Sequence, residues 1–211
     1  MIGHNNGPPL GDIADAGGRQ RLYYWRKAHK AAWRTPGIEI VRLRDRAAQR
    51  VGLGYTDYTS ILLDRGRRVS AIFFQLEGTL LQMRNGMPVM DANGAFTLMP
   101  GVRRKFQQLD CMVLLVAGAR VQLTAAAIKR SVSQVGETCR RCMTDHAIAP
   151  ATEDGRSLGA SIRELLERHK LPPSQTLFVG DTVAAELAAQ TLGVARFLWA
   201  WHYFGDSLAQ A

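Results

Sequence analysis

Two rhythms of apolar and polar positions divide the chain. Up to about Arg68 apolar residues recur at helical spacing; after Val69 they gather into short continuous runs. In "RQRLYYWRKAHKAAWR", residues 19–34, Leu22, Trp25, Ala32 and Trp33 form one stripe and predict a helix. "TPG" at 35–37 stops it, and Thr35 followed by Pro36 suits the start of a second helix, as N-cap and first-turn proline. Ile40, Val41, Leu43, Ala47, Ala48 and Val51 then keep helical spacing until Gly52. "YTDYTSILLDRG" predicts a third helix, capped by Thr56 and closed by Gly66. Residues 1–18, rich in Gly, Pro, Asn and Asp, lack periodicity and read as a disordered arm.

Beyond Val69 strands alternate with helices. The expected strands are Ala71–Phe74, Met112–Val116, a weak one near Cys142–Ile148, Leu177–Val179 and Arg196–Leu198. The expected helices are Val102–Leu109, Leu123–Val135, Leu158–His169 and Val183–Leu192. That alternation predicts a three-layer, Rossmann-like α/β domain, a parallel sheet covered on both faces. The expected organisation is a disordered arm over 1–18, a basic helical module over 19–68, the α/β domain over 69–204 and a tail over 205–211.

Composition adds little to this picture and charge adds more. The 211 residues are 46% hydrophobic and 21% charged, as in globular proteins. The most hydrophobic windows, Met112–Ala117 and Thr176–Val179, are too short to span a bilayer, and "MIGHNNGPPLGDIADAGG" lacks the apolar core of a secretory signal. No membrane partner is expected. Cys111, Cys139 and Cys142 are odd in number, which argues against a disulfide framework and for a reducing, cytoplasmic setting. The net charge is +9, and residues 1–70 hold +7 of it, with 13 Lys/Arg against 6 Asp/Glu. A basic N-terminal third suggests an anionic partner, nucleic acid first.

The stretch "FFQLEGTL", Phe73–Leu80, carries the chemistry. It resembles the first motif of the haloacid dehalogenase superfamily of phosphatases, Phe-Asp-x-Asp-Gly-Thr-Leu. The first Asp of that motif attacks phosphorus, and the second protonates the leaving group and activates water. The resemblance runs roughly from Val69 to Phe204. "FTLMPGVRRKFQQL" resembles the stretch that often follows the first motif, and "VLLVAGAR" falls where the second motif stands. "LLERHKLPPSQTLFVGDTVAAELAAQTLGV" resembles the fourth-motif region. The order is similar to the branch holding the histidinol-phosphate and heptose-bisphosphate phosphatases. That branch's pattern places Arg156 where a catalytic lysine would sit.

The site implied by the resemblance departs from the family at most of its positions. Gln75 replaces the nucleophile, and an amide oxygen is a poor one. Glu77 replaces the acid/base Asp and moves its carboxyl by one methylene. Ala117 and Gly118 replace the groups that bind phosphoryl oxygens. Arg156 keeps a positive charge able to pair with phosphate. Asp181 keeps one metal carboxylate, while Ala185 fills the second acidic position and Glu186 comes one residue late. Mg²⁺ wants hard oxygen ligands, one or two of them carboxylates, so its binding is expected to be weak or absent. The expected function is a pseudoenzyme, a binding or regulatory module. The alternative is an active Mg²⁺-dependent phosphatase acting on a small phosphorylated molecule, with Glu77 as nucleophile or assisting water.

Two further patterns stand apart. "CRRCMTDH" sets Cys139, Cys142 and His146 at a spacing similar to zinc sites, yet lacks a fourth ligand, so ordinary thiols beside a surface histidine are expected. "AAQRVGLGYTDYTSILLDRGRR", Ala47–Arg68, resembles a helix-turn-helix with Arg65, Arg67 and Arg68 placed to meet phosphates. Asp57 and Asp64 on the same helix oppose that reading, and a small helical cap is its alternative. Trp199, Trp201, His202, Tyr203 and Phe204 are expected to pack as core or lid.

Overall fold

Strand β1, Ala71–Leu76, has six consecutive buried residues. It therefore takes backbone partners on both edges and helices on both faces. The computed structural model describes residues 16–33, 36–76, 80–85, 87–117, 125–139, 142, 144–148 and 155–205. Contacts divide them into two units, one drawn from within Met1–Ala48 and Gly54–Arg68, the other from within Gln49–Leu53 and Val69–Ala211. The arm expected over 1–18 and the tail over 205–211 fall mostly outside the described residues, and α1 already begins at Ala16.

In the first unit lie α1 (Ala16–Trp33), most of α2 (Ile38–Arg50) and α3 (Tyr55–Arg65). Among the described side chains of α1, Leu22 and Trp25 are half-buried and Tyr23 and Tyr24 are exposed, while those of Ala32 and Trp33 lie outside the described ones. Helix α2 starts two residues later than Pro36 suggested, with the Gly37 carbonyl accepting from Ile40 and Val41 N–H. Thr35 lies outside the described residues. The expected cap at Thr56 is corrected: Gly54 holds the N-cap position with no side-chain cap, and Thr56 is already inside the helix. Gly66 closes α3 in the left-handed conformation, as expected.

The second unit follows the sequence closely. Its strands are β1, β4 (Met112–Ala117), β5 (Thr144–Ile148), β6 (Thr176–Gly180) and β7 (Arg196–Trp199). They form one parallel sheet in the order β5-β4-β1-β6-β7. The connecting helices are α4 (Pro100–Gln108), α5 (Ala125–Thr138), α6 (Gly155–Arg168) and α7 (Val183–Leu192), with α8 (Ala200–Phe204) after β7. Alternation along β1 separates two apolar layers. Phe73 joins Leu114, Val116 and Phe178 under Ile162 and Leu165 of α6 and Ala188 and Ala189 of α7. Phe74 points the other way, to Phe106, Tyr203 and Phe204 at ring separations of 4.8, 5.5 and 5.9 Å.

The C-terminal aromatics are thus partly core, as expected, although Trp201 and His202 are exposed. The Tyr203 hydroxyl donates to the Val51 carbonyl at 2.9 Å, and burial pushes this phenol well above its usual range. Lys105 donates to the Tyr203 carbonyl and lies 4.0 Å above its ring, and burial lowers the Lys105 ammonium to about 8.

Sequence periodicity misses one excursion. Between β1 and α4 the chain forms a short antiparallel ladder, β2 (Met83–Arg84) with β3 (Met87–Pro88), extended by bridges Leu81–Leu98 and Met90–Phe96. It docks on α5 through Ser131, whose hydroxyl accepts from Phe96 N–H at 2.8 Å, and through Arg130, which donates to the Gly94 carbonyl.

At the N-terminal edge of the sheet an ionic clasp ties β5 to the end of α6. One Asp145 oxygen accepts from Arg168 at 2.9 Å and lies 2.8 Å from His169 Nε2; the other accepts the His146 N–H at 2.8 Å. Burial alone would raise the Asp145 pKa, but hydrogen bonds from His169, His146 N–H and Arg168 outweigh it and hold the carboxyl below its usual range. A carboxyl lowered in the fold stabilises it above the ordinary carboxylate range and loses that contribution as pH falls through the lowered value. Solvent screens the exposed Arg168 side of the clasp, so Asp145→Asn should cost about 1 kcal/mol near neutral pH. It should also flatten the acid side of the stability profile, read by urea unfolding between pH 7 and pH 3.

Candidate functional site

In an open parallel sheet, ligand chemistry gathers where strand order reverses, at the C-terminal ends of the strands. Here the chain moves outward from β1 to β4 and β5, then crosses back to β6 and β7 on the other side. The reversal falls between β1 and β6. Gln75 is the last but one residue of β1, and Asp181 and Thr182 follow β6 directly, so both sides of that crevice carry residues singled out from the sequence.

The structure brings Gln75 and Asp181 together, through the Asp181 backbone. Gln75 is buried, 3% exposed, and its Oε1 accepts the Asp181 N–H at 3.0 Å. The same oxygen accepts from the Thr182 hydroxyl at 3.3 Å, and Gln75 Nε2 donates to Thr182 Oγ1 at 3.1 Å. Thr182 Oγ1 also accepts the Ala185 N–H at 3.1 Å, capping α7. A hydroxyl offers one proton and two lone pairs, and this one uses all three. Because the Asp181 N–H needs an acceptor, the amide orientation is fixed with its oxygen toward the turn. Thr182 was not singled out from the sequence, although a threonine just before an apolar helix is the usual N-cap signal.

Space at the crevice matches that hydrogen bonding. A Cβ on Gly180 would come within 2.9 Å of Gln75 Oε1 and 2.9 Å of Ala185 Cβ. Glycine therefore lets the amide lie across the end of β6. Ala185 is fully buried in the α6–α7 layer, so the second acidic position of the resembled motif is filled by core, and Glu186 beside it is half-buried.

The remaining positions divide. Ala117 ends β4 and is 2% exposed, paired in register with Leu76. Arg156 is exposed in the first turn of α6, whose Gly155 packs against the Ala184 carbonyl of α7. Arg156 thus stands on the end of α6 that packs against the start of α7. Glu77 and Gly118 lie outside the described residues. Arg65 is half-buried, and Arg67 and Arg68 are exposed.

The thiols expected at Cys139 and Cys142 are corrected: the two sulfurs are bonded to each other. The last turn of α5 and the link to β5 bring them to one place, and His146 is half-buried in β5 rather than at the surface. Among the described residues no group of three His, Cys, Asp or Glu side chains is placed to hold a metal ion. Nor is any helix among them long and apolar enough to cross a membrane.

No family model matches the chain, and no curated protein matches it. Solved structures do. The chain is similar to a protein of Xanthomonas campestris at 22% identity, with 66% of this chain and 68% of that one covered and a TM-score of 0.40. It is also similar to the cobalt-bound deoxy-D-mannose-octulosonate 8-phosphate phosphatase of Haemophilus influenzae, at 15% identity, 68% and 88% coverage and a TM-score of 0.38. A third is 3-deoxy-D-manno-octulosonate 8-phosphate phosphatase of Moraxella catarrhalis, solved with magnesium, phosphate and KDO, at 14% identity, 57% and 62% coverage and a TM-score of 0.34. With every one of these TM-scores below 0.5, the α/β assignment rests on the strand order and registers described above.

Removing the amide tests the crevice directly. Gln75→Leu keeps the approximate volume but leaves the Asp181 N–H and the Thr182 hydroxyl short of a buried partner, so it should destabilise the fold by about 2 kcal/mol in denaturant unfolding.

Proposed function

We propose that this chain is a haloacid dehalogenase-type phosphatase fold that no longer hydrolyses phosphate esters and acts as a binding or regulatory module. The observation that carries the reading is the Gln75 amide. At the position of the resembled family's attacking carboxylate stands a neutral group whose oxygen already accepts from the Asp181 N–H and the Thr182 hydroxyl. It offers neither a charged nucleophile nor a free anionic oxygen.

The residues present do not fit a family-type Mg²⁺. Such an ion is held by one or two carboxylates with water and phosphate. The position that should supply a carboxylate at the end of β1 is an amide engaged with the protein itself, and the later acidic position is the buried Ala185. Asp181 is the one expected ligand position that keeps its carboxylate.

What remains suits binding. Arg156 is exposed beside the N-terminal end of α7, where backbone N–H groups and the helix dipole favour an anion. A phosphorylated small molecule is the ligand class this combination takes. The basic stretch ending in the exposed Arg67 and Arg68 is the contact surface for an anionic macromolecule, nucleic acid first.

The protein with Mg²⁺ and an aryl phosphate should show no turnover, and the Gln75→Asp, Glu77→Asp double variant should gain it. Native turnover that disappears in Glu77→Ala would sink this reading in favour of an active phosphatase. For the contact surface, the full chain should bind a short DNA duplex with an affinity that falls steeply with salt. Arg67→Ala and Arg68→Ala should each lower the slope of log affinity against log salt by about 1. Binding that ignores salt, or none at low salt, removes nucleic acid from the proposal.

A further inference from the structure

The bond between Cys139 and Cys142 stands apart from the site at the C-terminal ends of the strands. Helices α4 and α5 run back along the sheet, so Leu109 and the Cys139–Cys142 bond, at their C-terminal ends, sit at the opposite edge. The two Cα atoms are 5.4 Å apart, within the usual span of a disulfide. Exposure separates the two sulfurs: Cys139 is fully buried and Cys142 is half-buried.

One backbone oxygen neighbours both sulfurs. The Leu109 carbonyl oxygen lies 3.7 Å from Cys139 Sγ and 3.4 Å from Cys142 Sγ. On reduction the two sulfurs must move apart to non-bonded distance, and that oxygen is the neighbouring acceptor either S–H could use. Leu109 also lines a cleft of about 1210 Å³ together with Thr138, the residue before Cys139. The ring closed by the bond spans a sequence separation of 3, so it constrains the unfolded chain less than a bond closing a long loop would.

The bond sits at a tight joint. A Cβ on Gly136, in the last turn of α5, would come within 2.9 Å of Thr144 Oγ1 at the start of β5. β5 is at one end of the strand order, so the bridge pins a helix end beside an edge strand. The third cysteine does not compete: burial, helped by the Asp110 carboxylate, pushes the Cys111 thiol up to about 12 and keeps it protonated.

We propose that Cys139–Cys142 is a reversible thiol–disulfide exchange site for a small thiol of the glutathione class, entered through Cys142. In reduction, a thiolate RS⁻ attacks Cys142 Sγ, the Sγ–Sγ bond breaks, and Cys139 leaves as a thiolate that takes up a proton. A second RS⁻ attacks the sulfur of the bound R group, releasing RSSR and the Cys142 thiolate, which is then protonated. Two thiols are oxidised and one protein disulfide is reduced. Oxidation runs the same steps backward, with the buried Cys139 resolving the mixed disulfide on Cys142.

The test equilibrates the full chain with reduced and oxidised glutathione at set ratios, quenches in acid, labels denatured thiols with a maleimide and reads intact mass. The expected result is a two-electron transition from three labels in reducing buffer to one in oxidising buffer, with unchanged far-UV circular dichroism. Amide exchange at the α5–β5 joint should be faster in the reduced form. Cys139→Ser should accept glutathione on Cys142 in the folded state, whereas Cys142→Ser should leave Cys139 unmodified. Three labels at every ratio, or one label at every ratio, overturns the proposal. So does glutathione reaching Cys139 in Cys142→Ser as fast as Cys142 in Cys139→Ser. The wild-type titration stands even if either variant fails to fold.

Discussion

Strand β1 has no edge and no face to give to water, and the architecture of the α/β unit answers that constraint. Its backbone groups are met by β4 on one side, from Ala71–Met112 to Leu76–Ala117, and by β6 on the other, from Ala71–Thr176 to Phe74–Val179. Its odd positions need the α6–α7 layer and its even positions need the aromatic layer of α4 and α8. Pairing with β6 runs as far as Phe74, and beyond it side chains must take over. Gln75 occupies that point, and its amide extends the pairing as a hydrogen bond to the backbone of the β6–α7 turn.

At the switch point of this doubly wound sheet, the Gln75 side chain bridges the end of β1 and the turn after β6. Where a ligand or ion would bridge the two strand ends, a side chain does so, with the Thr182 hydroxyl as the shared centre. One set of hydrogen bonds satisfies the turn, caps α7 and accounts for the buried amide. Polarity buried in this way contributes rigidity more readily than reactivity, because the amide oxygen and the hydroxyl are already engaged within the protein.

Much of this was readable in the chain. The runs Ala71–Phe74, Met112–Val116 and Leu177–Val179 are buried on both faces, so continuous hydrophobicity marked them directly, and each strand in fact continues a residue or two further. Helix α7 spans the expected Val183–Leu192, and the structure shows Thr182 and Gly193 punctuating it. The β2–β3 excursion was not, since two-residue strands carry no periodicity; only the Asn-Gly steps at 85–86 and 93–94 hinted at turns. At the site, the resemblance implied that Gln75 and Asp181 belong together but not how. Local spacing says nothing of a contact 106 residues apart that uses the backbone of one partner and the side chain of the other. The Cys139–Cys142 bond escaped for a similar reason, because whether a C-x2-C pair bonds to itself depends on where the helix ends.

Gly180 gives the crevice its shape. Its missing side chain is the room in which the Gln75 amide lies, and Ala185 fills what is left. Such a fit makes the four positions interdependent. Amide, glycine, threonine and alanine interlock, so a larger or differently charged side chain at any one of them must displace the other three.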